Sequence, residues 1–240
     1  MSTTRSLEAR RLQPELMDQP SLPPDDHHRA LTGLRRVNWI SRAGWPVWNA
    51  LRRLAEEISD RPLRVLDLAS GGGDLAVWLA GMGWKNRLPL EVTGCDISDR
   101  AVDFARCHAA RVGHGNVAFQ QLDVLHGDLP TGFDVVMCSL FLHHLSEPDA
   151  AATLRRMSEA AGRLVLVDDL QRCTLGYTAA WLGCRLLTRS HVVHVDGPLS
   201  VAGAFSLDEI RRLSDQAGLR DASVTTHWPW RFLLSWSKPR

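Results

Sequence analysis

The chain lacks any paired-cysteine spacing. Its five cysteines, Cys95, Cys107, Cys138, Cys173 and Cys184, are odd in number and scattered, with no C-x-x-C pair. That excludes a disulfide framework and suits a reducing compartment; with no signal-peptide pattern at the start, a cytoplasmic protein is expected. No apolar run reaches the length of a membrane span. The longest, residues 175–187, is interrupted by Gly183 and Arg185, so no stable membrane insertion is expected. An excess of one charge is missing too: the formal net charge is +1 over 240 residues, against a dedicated nucleic-acid binder. The pairs Arg35-Arg36, Arg52-Arg53, Arg155-Arg156 and Arg211-Arg212 read as solvated helix faces. His191, His194 and Asp196 have no second Cys/His pair at ligand spacing, so no metal is expected.

What is present is a glycine-rich turn between a strand and a helix. The run VLDLASGGGDLA, residues 65–76, joins an apolar segment to a helical one through three glycines. Gly71 and Gly73 let the backbone turn sharply and approach a ligand, and the helix start offers unpaired N–H groups. Asp67, a carboxylate aimed at the same loop, suits a cofactor with a positive amino end, such as S-adenosylmethionine (SAM). The string G-x-G-x-x-A also satisfies the dinucleotide fingerprint, so a NAD-dependent oxidoreductase stays open at this point. A protein that binds SAM without turnover is a third reading.

The surrounding pattern is α/β. Residues 1–28 are polar and proline-bearing and read as a poorly ordered or extended arm. Helical spacing over 30–58, broken near Gly44-Trp45-Pro46, gives two helices. Strands follow at 64–69, 90–97, 117–124, 133–140 and 163–167, with helices between most of them, the signature of a parallel sheet covered on both faces. Ser146 and Ser206 open two capping-box patterns, and two extended runs, 222–228 and 231–236, close the chain. Residues 29–240 form one domain in this reading, with helical cap elements at 29–60 and 173–205.

In open α/β sheets ligands sit at the carboxyl ends of the strands. Asp96, followed by Ile97, ends the second strand where a carboxylate can accept both ribose hydroxyls of SAM or of NAD. Asp123-Val124 ends the third, and Ser139 the fourth. His143 and His144 follow the fourth strand, and His191 and His194 follow the helix after the fifth; these are candidate bases for deprotonating an acceptor.

The loop, with Asp67, Ala69, Ser70, Gly71 and Gly73, resembles the acidic-x-G-x-G-x-G motif of class I SAM-dependent methyltransferases, with Ala69 in place of the first glycine. CSLFLHHL, residues 138–145, resembles the segment after the fourth strand in ubiquinone- and menaquinone-type small-molecule methyltransferases. The flanks 14–38 and 195–213 look like bacterial methyltransferases that tailor polyketide-type phenols and phenolic lipids.

The resemblance implies a Rossmann-like, seven-stranded, mostly parallel sheet with an antiparallel last strand. In such proteins an acid at Asp123 accepts the adenine amino group while its neighbour, here Val124, donates a backbone N–H. By likeness the reaction is O-methylation of a small aromatic hydroxyl, with C-methylation of a quinol ring as the alternative. The expected base is His144, His143 or His194, and the expected acceptor contacts are Tyr177, Trp181, Asp196 and Arg231. The apolar segment 175–187 would be a lid.

Overall fold

Six residues, LRVLDL, form the central strand β1 (Leu63–Leu68), and all but Arg64 are buried. A strand apolar on both sides is what a parallel sheet covered on two faces requires. The computed structural model describes residues 7–17, 19, 21–40, 44–58, 60–113 and 115–239; residues 1–6, 18 and 20 of the expected arm lie outside the described residues. β1 pairs in parallel with β2 (Leu90–Asp96) on one side and β4 (Phe133–Ser139) on the other. β3 (Val117–Gln121) and β5 (Ala161–Leu170) continue the parallel sheet outward. β7 (Arg231–Ser237) then lies antiparallel between β5 and β6 (Ser223–His227), giving the seven-stranded order β3-β2-β1-β4-β5-β7-β6. The order reverses between β1 and β4, opening a crevice at their carboxyl ends.

Helices α1 (Pro24–Ile40) and α2 (Gly44–Glu57) precede β1; α3 (Asp74–Lys85), α4 (Asp99–Val112) and α5 (Glu147–Ala160) follow β1, β2 and β4. After β5 come α6 (Thr174–Leu187), α7 (His191–Gly203) and α8 (Leu207–Gln216). Ser98, Ser146 and Ser206 cap α4, α5 and α8 with their hydroxyls, and Ser206 with Glu209 completes a reciprocal capping box. Each such cap contributes about 1 kcal/mol.

Two apolar cores result, one per face of the sheet. α2, α3 and α4 close one with Trp48, Leu51, Leu79 and Val102, and α5 and α8 close the other with Leu154, Met157, Ile210 and Leu213. A smaller cluster joins Ala30 of α1, Cys184 of α6 and Val192 and Val193 of α7, with Leu16 and Met17 packed against it. This third cluster roofs the β1/β4 crevice.

Several expectations need correcting. α1 starts at Pro24, so the arm is shorter than 28 residues. α2 packs into the sheet core rather than the cap, because Trp48, Leu51 and Leu54 face α3 and the sheet. β3 stops at Gln121 and β5 runs on to Leu170. Residues 191–203, inside the expected helical element 173–205, are helical in spite of Gly197 and Pro198: burial of Val192, Val193, Val201 and Ala202 outweighs the local propensity of the two breakers.

Candidate functional site

The glycine turn at the end of β1 is built by backbone strain that the sheet imposes. Ala69 and Gly71 take left-handed φ of 51° and 52°. Ser70 N–H donates to the Cys95 carbonyl of β2 at 2.8 Å, and Gly71 N–H donates to Asp96 Oδ2 at 2.8 Å. A methyl group added at Gly71 would meet nothing within 4 Å, because that side opens on a cavity. Gly73 differs. Its φ is 73°, and a Cβ there would lie 2.5 Å from the Phe119 ring. Gly73 therefore serves close packing of α3 on the sheet, and it does not line the cavity.

The cavity has a volume of about 800 Å³, within the usual range for small-molecule sites. Its charged lining is mainly acidic: Glu15, Asp67, Asp74, Asp96 and Asp123 face it, as does Arg231. Asp67 is 2% exposed; burial, helped by the charge of Asp96, pushes its pKa up to about 8. Asp67 Oδ1 and Ser70 Oγ are buried without a hydrogen-bond partner, which is costly unless a ligand supplies one. Asp74, at the first turn of α3, is likewise raised by burial to about 6.

Asp96 Oδ1 accepts from Ser98 N–H at 2.9 Å, so the carboxylate braces the turn after β2 as well as the glycine loop. Asp123, just past the end of β3, accepts from the backbone N–H groups of Leu125 and His126 and from the His126 ring. The ring hydrogen bond first, then the Leu125 N–H, holds its pKa below the usual carboxylate value. Ile97, Val124 and Ser139 also line the cavity.

The histidines sort sharply. His143 and His144 close a short 3-10 turn, Leu142–His144, and both line the cavity. His143 Nδ1 lies 2.6 Å from Asp169 Oδ1 on β5. Burial by itself pushes the His143 pKa down, but the charge and hydrogen bond of Asp169, with Glu15 adding to them, leave it above its ordinary value. His144 goes the other way: burial, then the neighbouring His143, lowers it to about 3. His194 lies outside the cavity lining, its Nε2 against the Thr188 carbonyl at 2.8 Å. His191 is exposed at the start of α7.

The expected acceptor contacts divide too. Arg231 lines the cavity beneath Ser139, its guanidinium 2.6 Å from Asp168 Oδ2 and 3.1 Å from Ser139 Oγ. Asp168 also lies 2.8 Å from His227 Nε2. Tyr177 and Trp181 are not part of the lining: α6 turns Ala179, Ala180, Gly183 and Cys184 inward, and Trp181 is 43% exposed under Arg185. Asp196 reaches the cavity wall but is engaged by the backbone N–H groups of Leu16 and Met17, at 2.9 and 3.0 Å. Burial raises its pKa while those N–H groups oppose the rise.

Sequence reasoning missed Asp168, Asp169 and Glu15. The acidic pair closes β5, and placing the strand end at 167 left both just outside it. Glu15 arrives from the arm, with no local signal to mark it.

Residues 65–161 match the methyltransferase domain family. By this match the segment is a methyltransferase domain. Around this methyltransferase domain the chain is 33% identical over 124 residues to a ubiquinone biosynthesis O-methyltransferase of Albidiferax ferrireducens, covering 50% of this chain and 46% of that one. It is 28% identical over 202 residues to the Stutzerimonas stutzeri protein of the same name, covering 80% and 77%. The chain thus spans about half the length of the first of these relatives. The magnesium protoporphyrin IX methyltransferase of Synechocystis PCC 6803, solved with S-adenosylhomocysteine, shares the fold with a TM-score of 0.56 at 18% identity, covering 93% of this chain and 91% of that one. The methyltransferase match and the antiparallel β7 decide against the dinucleotide alternative. The orphaned Asp67 oxygen, the orphaned Ser70 hydroxyl and the open side of Gly71 fit a ligand with a cationic amino end.

Proposed function

We propose that the protein methylates a hydroxyl group of a small aromatic acceptor, using SAM. The observation that carries this reading is the His143–Asp169 pair, which faces the same cavity as the glycine turn. SAM, when bound, supplies a methyl group on a cationic sulfur that departs as a neutral thioether. A neutral leaving group needs no acid, so the protein's contribution is to position the acceptor oxygen and to take its proton.

Asp67 and Ser70 offer the unpartnered polar atoms that would hold the amino end, Gly71 leaves room for close approach, and Asp96 would accept ribose hydroxyls. Asp123 and Val124, which line the same cavity, would hold the adenine. On the acceptor side, Asp169 accepts from His143 Nδ1–H, which fixes the tautomer and leaves Nε2 free to receive the proton of the acceptor hydroxyl. Burial alone would raise the pKa of Asp169, but the His143 charge and hydrogen bonds hold it low, so it stays ionised for this task. His144, neutral throughout the working range, is a wall with an accepting ring nitrogen rather than a base.

An aromatic acceptor suits the apolar walls supplied by Leu31, Leu34 and Val37 of α1 and by Leu187 and Val192. It also agrees with relatives named for ubiquinone O-methylation and with the polyketide-type likeness of the flanks. Parallel calorimetry with SAM, S-adenosylhomocysteine and NAD tests the cofactor side. Micromolar binding of the two adenosyl ligands without NAD supports the reading, and methyl uptake is then screened on phenols and quinols. Tight NAD binding alone would sink it.

A further inference from the structure

The N-terminal strap, residues 7–17, is tied across the roof of the cavity at several points. Arg11 N–H donates to the Ala202 carbonyl at 3.0 Å, and Arg10 donates to the carbonyls of Gly203 and His143 while stacking on the Phe205 ring. Arg172 in turn donates to the Leu7 carbonyl, and Asp196 holds the N–H groups of Leu16 and Met17. Between these anchors the strap turns one carboxylate inward. Glu15 is 8% exposed, and burying a carboxylate in a mostly apolar wall is unfavourable unless it is engaged. Its Oε1 accepts from Ser200 Oγ at 2.5 Å, which orients it. The same oxygen lies 3.8 Å from His143 Nε2 and 3.9 Å from His144 Nδ1.

Those separations exceed a direct hydrogen bond, but a carboxylate this close in a mostly apolar wall acts strongly on the rings by charge. We propose that Glu15, brought in by the strap, is a positioning residue for the base: its carboxylate, facing His143 Nε2 at 3.8 Å, stabilises the imidazolium formed when His143 takes the acceptor's proton. The inference rests on the methyl-transfer reading. In the step, the hydroxyl proton passes to His143 Nε2 and the oxygen lone pair forms the new carbon–oxygen bond. The methyl–sulfur bond breaks with its electron pair staying on sulfur. Glu15 takes no proton: it faces the protonated imidazole, 3.8 Å from Nε2, and its negative charge stabilises it. The other charged or titratable groups around His143 are Asp169 on β5, Arg231 on β7, His144 beside it and Arg10 on the strap. Among the described residues around it, Glu15 and Asp169 favour the protonated ring by charge, one toward each nitrogen.

The test compares the wild-type chain with Glu15→Gln and Glu15→Asp. Glu15→Gln keeps the shape and the Ser200 contact and removes the charge. Calorimetric SAM affinity is expected to stay within about twofold, because Glu15 lies on the acceptor side. The His143 ring, followed by NMR and assigned with His143→Gln, is expected to titrate at lower pH in Glu15→Gln. With orcinol as acceptor, kcat is expected to fall about 10- to 100-fold with its acid limb displaced downward, and Glu15→Asp to recover part of the loss. An unchanged His143 titration in Glu15→Gln would overturn the proposal. So would tight Zn²⁺ binding by the wild type that Glu15→Gln abolishes, since the three groups would then be metal ligands. Failure of the wild type to bind SAM would instead defeat the methyl-transfer reading, and the His143 titration would still report on the Glu15 coupling.

Discussion

Asp169 grips His143 at two points: Oδ1 meets the ring Nδ1 at 2.6 Å, and Oδ2 accepts the backbone N–H of the same residue at 3.2 Å. One carboxylate at the end of β5 thus fixes both the tautomer of the imidazole and the path of the turn that carries it. Asp169→Asn keeps the shape but lets the ring flip or change tautomer. Methyl transfer is expected to fall about 100-fold or more, with SAM affinity unchanged. Activity of the wild type should be lost as pH drops through the raised His143 pKa, and the variant should shift that limb to lower pH. A pH–rate profile of the two proteins checks this.

Asp67 predicts a proton release. Its carboxyl, raised to about 8 by burial, is largely protonated at pH 7, and a cationic amino group beside it favours the ionised form. Because the bound pKa lies below the free one, SAM binding near neutral pH should expel a fraction of a proton, and Asp67→Asn should expel none. Calorimetry in buffers of different ionisation enthalpy measures it; equal proton counts in the two proteins would refute the assignment.

Gly71 and Gly73 should separate on substitution. Gly71→Ala meets open space and carries only the strain of a positive φ, of order 1 kcal/mol, so the protein folds while SAM binding weakens by tenfold or more. Gly73→Ala drives a methyl group into Phe119 and is expected to lower the melting temperature first. Thermal melts with and without SAM distinguish the two.

Ala69, with its left-handed φ of 51°, carries strain where glycine would carry little. Ala69→Gly is expected to stabilise the fold by about 0.5–1 kcal/mol, read from denaturant midpoints.

Asp196 predicts a local effect. Asp196→Asn removes one of the two oxygens that hold the strap, so amide exchange at Leu16 and Met17 should accelerate about tenfold or more while exchange in β1 and β4 is unchanged. His194→Ala, outside the cavity, should leave the methyl-transfer rate intact.

The parts of the fold that were legible in the sequence are those with local causes. The glycine turn, the capping serines and the apolar strand runs each announce themselves within a few residues. The acceptor side was legible only as a set of residue types. By sequence His143 follows the fourth strand and His194 the helix after the fifth, yet of the two only His143 turns inward, because Asp169 and the 3-10 turn aim it. Asp196 looks like a pocket acid in the sequence and serves as an anchor, because its partners are backbone groups 180 residues away. Such pairings have no periodicity to betray them.

The strap also sets an order of assembly. Residues 7–17 are made before the groups that receive them, Arg172, Asp196, Ala202 and Gly203, all of which follow β5 in the chain. The strap must therefore wait undocked while β1 to β5 are made. Anything fused ahead of it, an affinity tag included, pulls on the segment that carries Glu15, so a tag placed at the carboxyl end is the safer choice for enzymology.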